Sequence, residues 1–127
     1  MSLEPWIPCR NLQRSIKFYV DVLDFELLES HLQIDESVEI RHAVLTRDGY
    51  LLHLDSHARE KGMFGTQFYI RVHNVDELYE QFLSNGLDSN LLTIKKRPYD
   101  QSWGMREFSL KDPDGNGITY GQELVKK

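Results

Sequence analysis

The sequence predicts an α+β fold made of two copies of one module, each running strand, helix and three strands. Two strand-to-helix junctions open on asparagine, Asn11 and Asn74, 63 positions apart. Two hairpin turns, Asp48-Gly49 and Asp114-Gly115, lie 66 positions apart. Nearly equal offsets from independent landmarks indicate a tandem duplication with a three-residue insertion. The length of 127 residues is that of one ordinary domain. Two copies with so long a period do not make a solenoid.

Each element has a local reason. Residues 5–9 read as a strand. Asn11 then caps a helix whose apolar residues Leu12, Ile16, Tyr19, Val20 and Leu23 recur close to the i, i+4, i+7, i+8 pattern. Asp24 takes the helix end, where a left-handed residue is wanted; Asp tolerates that conformation better than most residues, though less well than Gly. Residues 25–29 and 39–46 read as strands, and Asp48-Gly49 turns the chain into a third at 50–55. In the second copy, strand 67–72 alternates Phe68, Ile70 and Val72 with Gln67, Tyr69 and Arg71. Asn74 caps a second helix, with Glu77 placed to form a capping box. Val75, Leu78, Tyr79, Phe82 and Leu83 give that helix its apolar face, and Gly86 ends it. Residues 90–95 make a weaker strand, 106–111 a clear one, and the turn at 112–116 leads into 118–122. The expected organisation is one domain over 1–127: a first module at about 4–57, a charged, Gly-containing linker at 58–65, and a second module at about 66–124. Residues 95–104 read as a long polar loop over one edge.

Composition excludes several classes. Apolar residues are 40% and charged residues 28%, which is globular. Fifteen Lys and Arg against twenty Asp and Glu leave a net charge of −5, a poor match for phosphate backbones. That charge serves solubility and would not hinder a cationic guest. No apolar run approaches the ~20 residues of a membrane span, and Met1-Ser2-Leu3-Glu4-Pro5 lacks signal-peptide architecture. Cys9 is the one cysteine; beside Ile7 and Leu12 it reads as a buried thiol in a reducing compartment. A cytoplasmic protein with no nucleic-acid or membrane partner is expected.

Asn11-Leu12-Gln13-Arg14-Ser15-Ile16-Lys17-Phe18-Tyr19 with Val22-Leu23-Asp24-Phe25 resembles the opening of glyoxalase and bleomycin-resistance proteins. Val72-His73-Asn74-Val75-Asp76-Glu77-Leu78-Tyr79, Trp103-Gly104-Met105-Arg106-Glu107-Phe108 and Asp112-Pro113-Asp114-Gly115-Asn116 complete the pattern. Over essentially the whole chain, the sequence is similar to the glyoxalase/bleomycin-resistance/dioxygenase (vicinal oxygen chelate) superfamily, nearest its bleomycin-resistance-like members. The resemblance implies tandem βαβββ modules forming a curved mixed sheet around a concave cleft, with helices on the convex side. It also implies a homodimer, with the cleft often shared between chains; exposed sheet edges give a physical reason to pair.

In metal-using members, the first and last strand of each module supply one ligand each. The resemblance and the two offsets carry these positions to Glu4, His53, Gln67 and Thr119. Glu4, His53 and Gln67 have donors that a divalent cation accepts. Thr119 stands where glyoxalase-like members carry a Glu that both ligates and acts as base, and an unaided hydroxyl cannot abstract a proton near neutrality. Extradiol dioxygenases want two His and one Glu around iron, and the quartet holds one His. No catalytic residue is therefore assigned and no cofactor is expected; a divalent metal on Glu4, His53 and Gln67 is the competing reading. Strand alternation puts Trp6 with Glu4, Tyr69 and Arg71 with Gln67, and Leu51 and Asp55 with His53 on the cleft side. An aromatic face with a few polar groups suits a planar or conjugated ligand. Tyr99 and Trp103, in the long loop, either close over that ligand or pack beneath the loop.

Arg106 reads as a structural ion-pair partner and Phe108 and Leu110 as core. His31, His42, His57 and His73 read as solvated. The expected function is sequestration, as in antibiotic resistance, of a small aromatic or cationic organic molecule by a homodimer without metal chemistry. The alternative is a metal-dependent lyase, isomerase or dioxygenase of the glyoxalase type.

Overall fold

A computed structural model of the chain describes residues 1–30 and 42–125. The chain divides into two compact units, Met1–Thr66 and Gln67–Lys127. The first contains β1 (Trp6–Pro8), α1 (Leu12–Lys17), β2 (Glu26–Ser30), β3 (His42–Arg47) and β4 (Tyr50–Asp55). The second contains β5 (Gln67–Arg71), α2 (Val75–Ser84), β6 (Tyr99–Asp100), β7 (Met105–Lys111) and β8 (Gly117–Glu123). Their sheets have the same plan, β1-β4-β3-β2 and β5-β8-β7-β6. In each, the first strand runs parallel to the last, and the remaining pairs are antiparallel. Each unit is one βαβββ module, and the helix is what carries the chain from its first strand into the remainder of the sheet.

The caps form as the sequence implies. Asn11 Oδ1 accepts the Arg14 amide at 3.0 Å, and Asn74 Oδ1 accepts that of Glu77 at 3.1 Å. After Lys17 the first helix widens through Phe18–Val22, where the Leu23 amide reaches back to the Phe18 carbonyl at 3.3 Å. It ends at Asp24 with φ 60°, and the second helix ends at Gly86 with φ 98°. Asp48 (φ 51°) and Gly49 (φ 83°) are both left-handed, as a type I′ hairpin turn requires.

Each helix packs on one face of its own sheet. In the first module Ile7, Tyr19, Leu23, Ala43, Leu45, Leu52 and Leu54 are buried, with Cys9 among them. In the second, Phe82, Phe108 and Tyr120 form an aromatic cluster, with ring centroids 5.2–6.1 Å apart. Val75, Leu110 and Ile118 are buried as well. Full burial of side chains of this size contributes about 1.5–3 kcal/mol each.

Several expectations are corrected. Residues 90–95 are not a strand: a short helical turn at Ser89–Leu91 precedes Leu92, which makes one isolated bridge to Leu110. Ile94 (φ 55°) and Lys96 (φ 56°) are left-handed, and two such residues cannot continue an extended ladder. The edge strand arises instead inside the stretch read as loop, where Tyr99–Asp100 pairs with Arg106 and Glu107. The linker stretch 58–65 opens with a helical turn, Ala58–Lys61, in which Ala58 is fully buried. Residues 39–41, expected at the start of a strand, and His31 lie outside the described residues.

Candidate functional site

The sheet face opposite each helix carries the candidate residues. In the first module Trp6 pairs in register with His53. Its indole ring stacks on His53 (centroids 4.6 Å, interplanar angle 14°) and His42 (4.8 Å, 12°). His53 Nε2 lies 2.7 Å from Glu4 Oε1, and His53 Nδ1 lies 2.7 Å from His42 Nε2. Glu4 also accepts the Ser2 hydroxyl at 2.6 Å. The bonds from Ser2 and His53 hold its carboxyl below the usual range. A carboxylate only accepts, so His53 Nε2 carries a proton, and its other nitrogen shares one with His42. His42 is thus a member of a Glu4–His53–His42 chain rather than a solvated residue. His57 is not freely solvated either, since its Nδ1 lies 3.1 Å from Glu60.

Asp55 is 2% exposed and lies beneath the same indole. Its Oδ2 accepts Trp6 Nε1 at 3.0 Å and Lys61 Nζ at 2.9 Å, and its Oδ1 accepts the His57 amide at 2.7 Å. Burial raises the Asp55 pKa, but the Lys61, His57 and Trp6 donors outweigh it and hold the carboxyl below its ordinary value. The Lys61 ammonium also sits 5.5 Å from the Trp6 ring centroid.

The second module uses the same places differently. Tyr69 stands where Trp6 stands in the first and crosses Gly121, where a Cβ would overlap its hydroxyl and ring carbons. Its hydroxyl donates to Glu107 Oε2 at 2.7 Å, and Trp103 Nε1 points at the same oxygen from 3.4 Å. Burial, then the Glu107 bond and charge, push the Tyr69 hydroxyl well above its ordinary pKa, while the Arg71 charge partly opposes them. Gln67 lies over Gly117, with Cγ 3.3 Å from where a Cβ would stand. Thr119 shares a 2.7 Å hydrogen bond with Ser109. Tyr99 meets the Lys95 ammonium, 4.6 Å from its ring centroid. Arg106 is the expected structural ion pair: Nε lies 3.1 Å from both Asp76 oxygens and Nη1 3.0 Å from Asp100, tying β7 to the first turn of α2.

Glu4, Trp6 and His53 therefore meet in the first module; Gln67, Tyr69, Arg71 and Thr119 line one strand pair of the second, with Trp103 at Tyr69. Sequence reasoning missed His42, Lys61 and Glu107. The strand alternation that makes Phe108 and Leu110 core also puts Glu107 on the opposite face, so extending the parity to β7 would have found it.

The donors that Glu4 and His53 could offer a divalent ion are turned to hydrogen bonds within the protein. Both His53 nitrogens are in hydrogen bonds, the Glu4 carboxylate is occupied by Ser2 and His53, and the Thr119 hydroxyl is bonded to Ser109. A metal bound through His53 would have to break the chain to Glu4 or His42. Among the described residues, no three His, Cys, Asp or Glu side chains converge in a metal-holding group.

This fold, with its paired modules, defines the class. The chain belongs to the Glyoxalase/Bleomycin resistance protein/Dioxygenase superfamily, whose family model matches residues 4–120. It is 27% identical to a bleomycin resistance protein of Geobacillus stearothermophilus, over 94% of this chain and 95% of the relative. Among solved structures it is similar to TioX from Micromonospora sp. ML1 (TM-score 0.78, 21% identity, 98% of this chain and 99% of that one). It is also similar to a bleomycin-binding protein complexed with bleomycin (TM-score 0.71, 22% identity, 97% and 98%). No helix is long and apolar enough to cross a membrane among the described residues.

Proposed function

We propose that this chain binds a small aromatic or cationic organic molecule and sequesters it without metal chemistry or catalysis, as a cytoplasmic homodimer. The observation that carries the reading is the pair of half-exposed or exposed aromatic rings on the helix-free side of the second module. Tyr69 is 44% and Trp103 64% exposed, and both are anchored at the polar end by Glu107. Partly exposed rings already anchored by a polar contact offer stacking area at little further entropic cost. The bleomycin-binding relatives lend support, since one of them is solved with bleomycin bound. The buried thiol of Cys9 agrees with a reducing compartment. The donor set described above argues against the alternative, in which Glu4, His53 and Gln67 hold a catalytic ion.

The test is a panel of planar organic compounds, bleomycin among them, scored by melting temperature and by quenching of the two tryptophans, in parallel with Zn²⁺, Ni²⁺, Mn²⁺ and Fe²⁺. A compound present at 100 times its Kd stabilises by about 2.7 kcal/mol. At least one organic compound is expected to raise the melting temperature, and the metals are expected to leave it unchanged. Stabilisation by a metal with no response to any organic compound would overturn the reading.

A further inference from the structure

We propose that Glu107, Tyr69 and Trp103 form a seat for the cationic nitrogen of the ligand, an organic ammonium or amidinium. The inference rests on the ligand-binding reading and specifies the chemistry recognised in the second module.

The first module shows the seat filled by the protein itself. There an aromatic ring (Trp6) donates to a buried carboxylate (Asp55), and that carboxylate holds the Lys61 ammonium at 2.9 Å while the ring lies 5.5 Å from it. Carboxylate and ring stabilise the cation together, one by a charge-assisted hydrogen bond and the other through its π face.

The second module repeats the ring and the carboxylate. Tyr69 lies 63 positions after Trp6 and donates to Glu107 as Trp6 does to Asp55. The carboxylate has moved one strand across: the position 66 after Asp55 is Gly121, and Glu107 is its partner on β7. Gly121 is what lets the Tyr69 ring lie flat enough to reach it. Trp103 adds a second ring at the same oxygen.

What differs is the cation. Glu107 is 6% exposed, yet among the described residues no Lys, Arg or His pairs with it. Oε2 takes both of the hydrogen bonds that the described residues make to it, and Oε1 takes none from them. A buried carboxylate without a counter-charge is costly, and a ligand cation that supplies one recovers that cost on binding. Arg71 is exposed, and its charge reaches Tyr69 without an ion pair to Glu107, so it works against a bound cation rather than replacing it. In sequence, the position 66 after Lys61 is Lys127, which lies outside the described residues.

Benzylammonium and its neutral counterpart benzyl alcohol test this at matched ionic strength, read from the two indole N–H signals in the NMR spectrum, with Trp103→Phe assigning them. Wild-type protein is expected to prefer the ammonium by about tenfold and to move the Trp103 signal while leaving that of Trp6 in place. Glu107→Gln, which keeps the shape and still accepts from Tyr69, is expected to abolish the preference; Glu80→Gln, on the exposed side of α2, is expected to keep it. Arg71→Ala should strengthen ammonium binding. The wild-type comparison and its weakening by added salt decide the matter even if Glu107→Gln fails to fold. Equal affinity for the two probes overturns the seat and leaves the ligand-binding reading standing. Binding of neither probe overturns the seat, while a hit in the organic panel would still uphold the broader reading. Ammonium binding that emerges only in a chain ending at Val125 would make the protein's own terminal lysines the occupant and would also overturn the proposal.

Discussion

Asp55 and Glu107 are both buried carboxylates under an aromatic ring, but they differ in what completes them. Asp55 has three donors, one of them the Lys61 ammonium. Its folded pKa is depressed, so its contribution to stability is complete above the ordinary carboxyl value of 3.8 and is lost as pH falls through the folded value. Asp55→Asn is expected to lower stability at pH 7 by about 2 kcal/mol. The gap between variant and wild type should narrow as pH drops below about 4, where the wild-type carboxyl also protonates; urea melts at pH 7, 5 and 3 measure it. A gap that stays constant across that range would mean that the charge of Asp55 contributes nothing. Parity along β1, β4 and β5 made Trp6, His53 and Asp55 legible as members of one face of the first sheet, and Tyr69 as a member of the corresponding face of the second. It said nothing of whom each would bond. That His53 uses one nitrogen for Glu4 and the other for His42 depends on the register of β3 against β4, which aligns His42 with Asp55 and Val44 with His53.

Among the elements, those with a local chemical cause are the ones the sequence shows best. Asn11 and Asn74 cap helices because their side chains accept an amide three residues on. Asn74→Ala should cost about 1 kcal/mol. Gly49→Ala and Gly115→Ala should cost a similar amount, about 1 kcal/mol, for a different reason. No atom lies within 4 Å of the added methyl at either position, so the penalty is the left-handed backbone alone. Shifted urea midpoints at unchanged slope are the expected result; an unaffected Gly49→Ala would mean that the turn does not need φ of 83°. The sixth strand is the counter-example. Residues 90–95 have the composition of a weak strand, but the left-handed Ile94 and Lys96 break the run. Two residues, Tyr99 and Asp100, take the edge position instead because they find Glu107 and Arg106 opposite them. A strand this short has too little pattern to be seen before its partner is in place.

For the whole molecule, the two modules share one sheet order and one set of parallel and antiparallel pairings. Among the described residues, each sheet as paired ends in strands with a single neighbour, β1 and β2 in one and β5 and β6 in the other. Free strand edges favour pairing with another chain, and the proposed homodimer predicts a light-scattering mass near twice the 14.9 kDa of one chain. A monomer at micromolar concentration would remove the dimer from the proposal and leave the ring-and-carboxylate chemistry of the second module untouched.

By itself, the sequence determined the duplication, the helix caps, the hairpin turns and the face on which most candidate side chains stand. All of these follow from backbone periodicity and from the conformational preferences of Asn, Asp and Gly, which act over a few residues. Only the tertiary structure decided the bonding among those side chains: the Glu4–His53–His42 chain, the Lys61 ammonium on Asp55, and Glu107 beneath Tyr69. These contacts join residues as far apart as 49 positions. They depend on strand register and on the space left by a glycine such as Gly121, neither of which is expressed in local sequence.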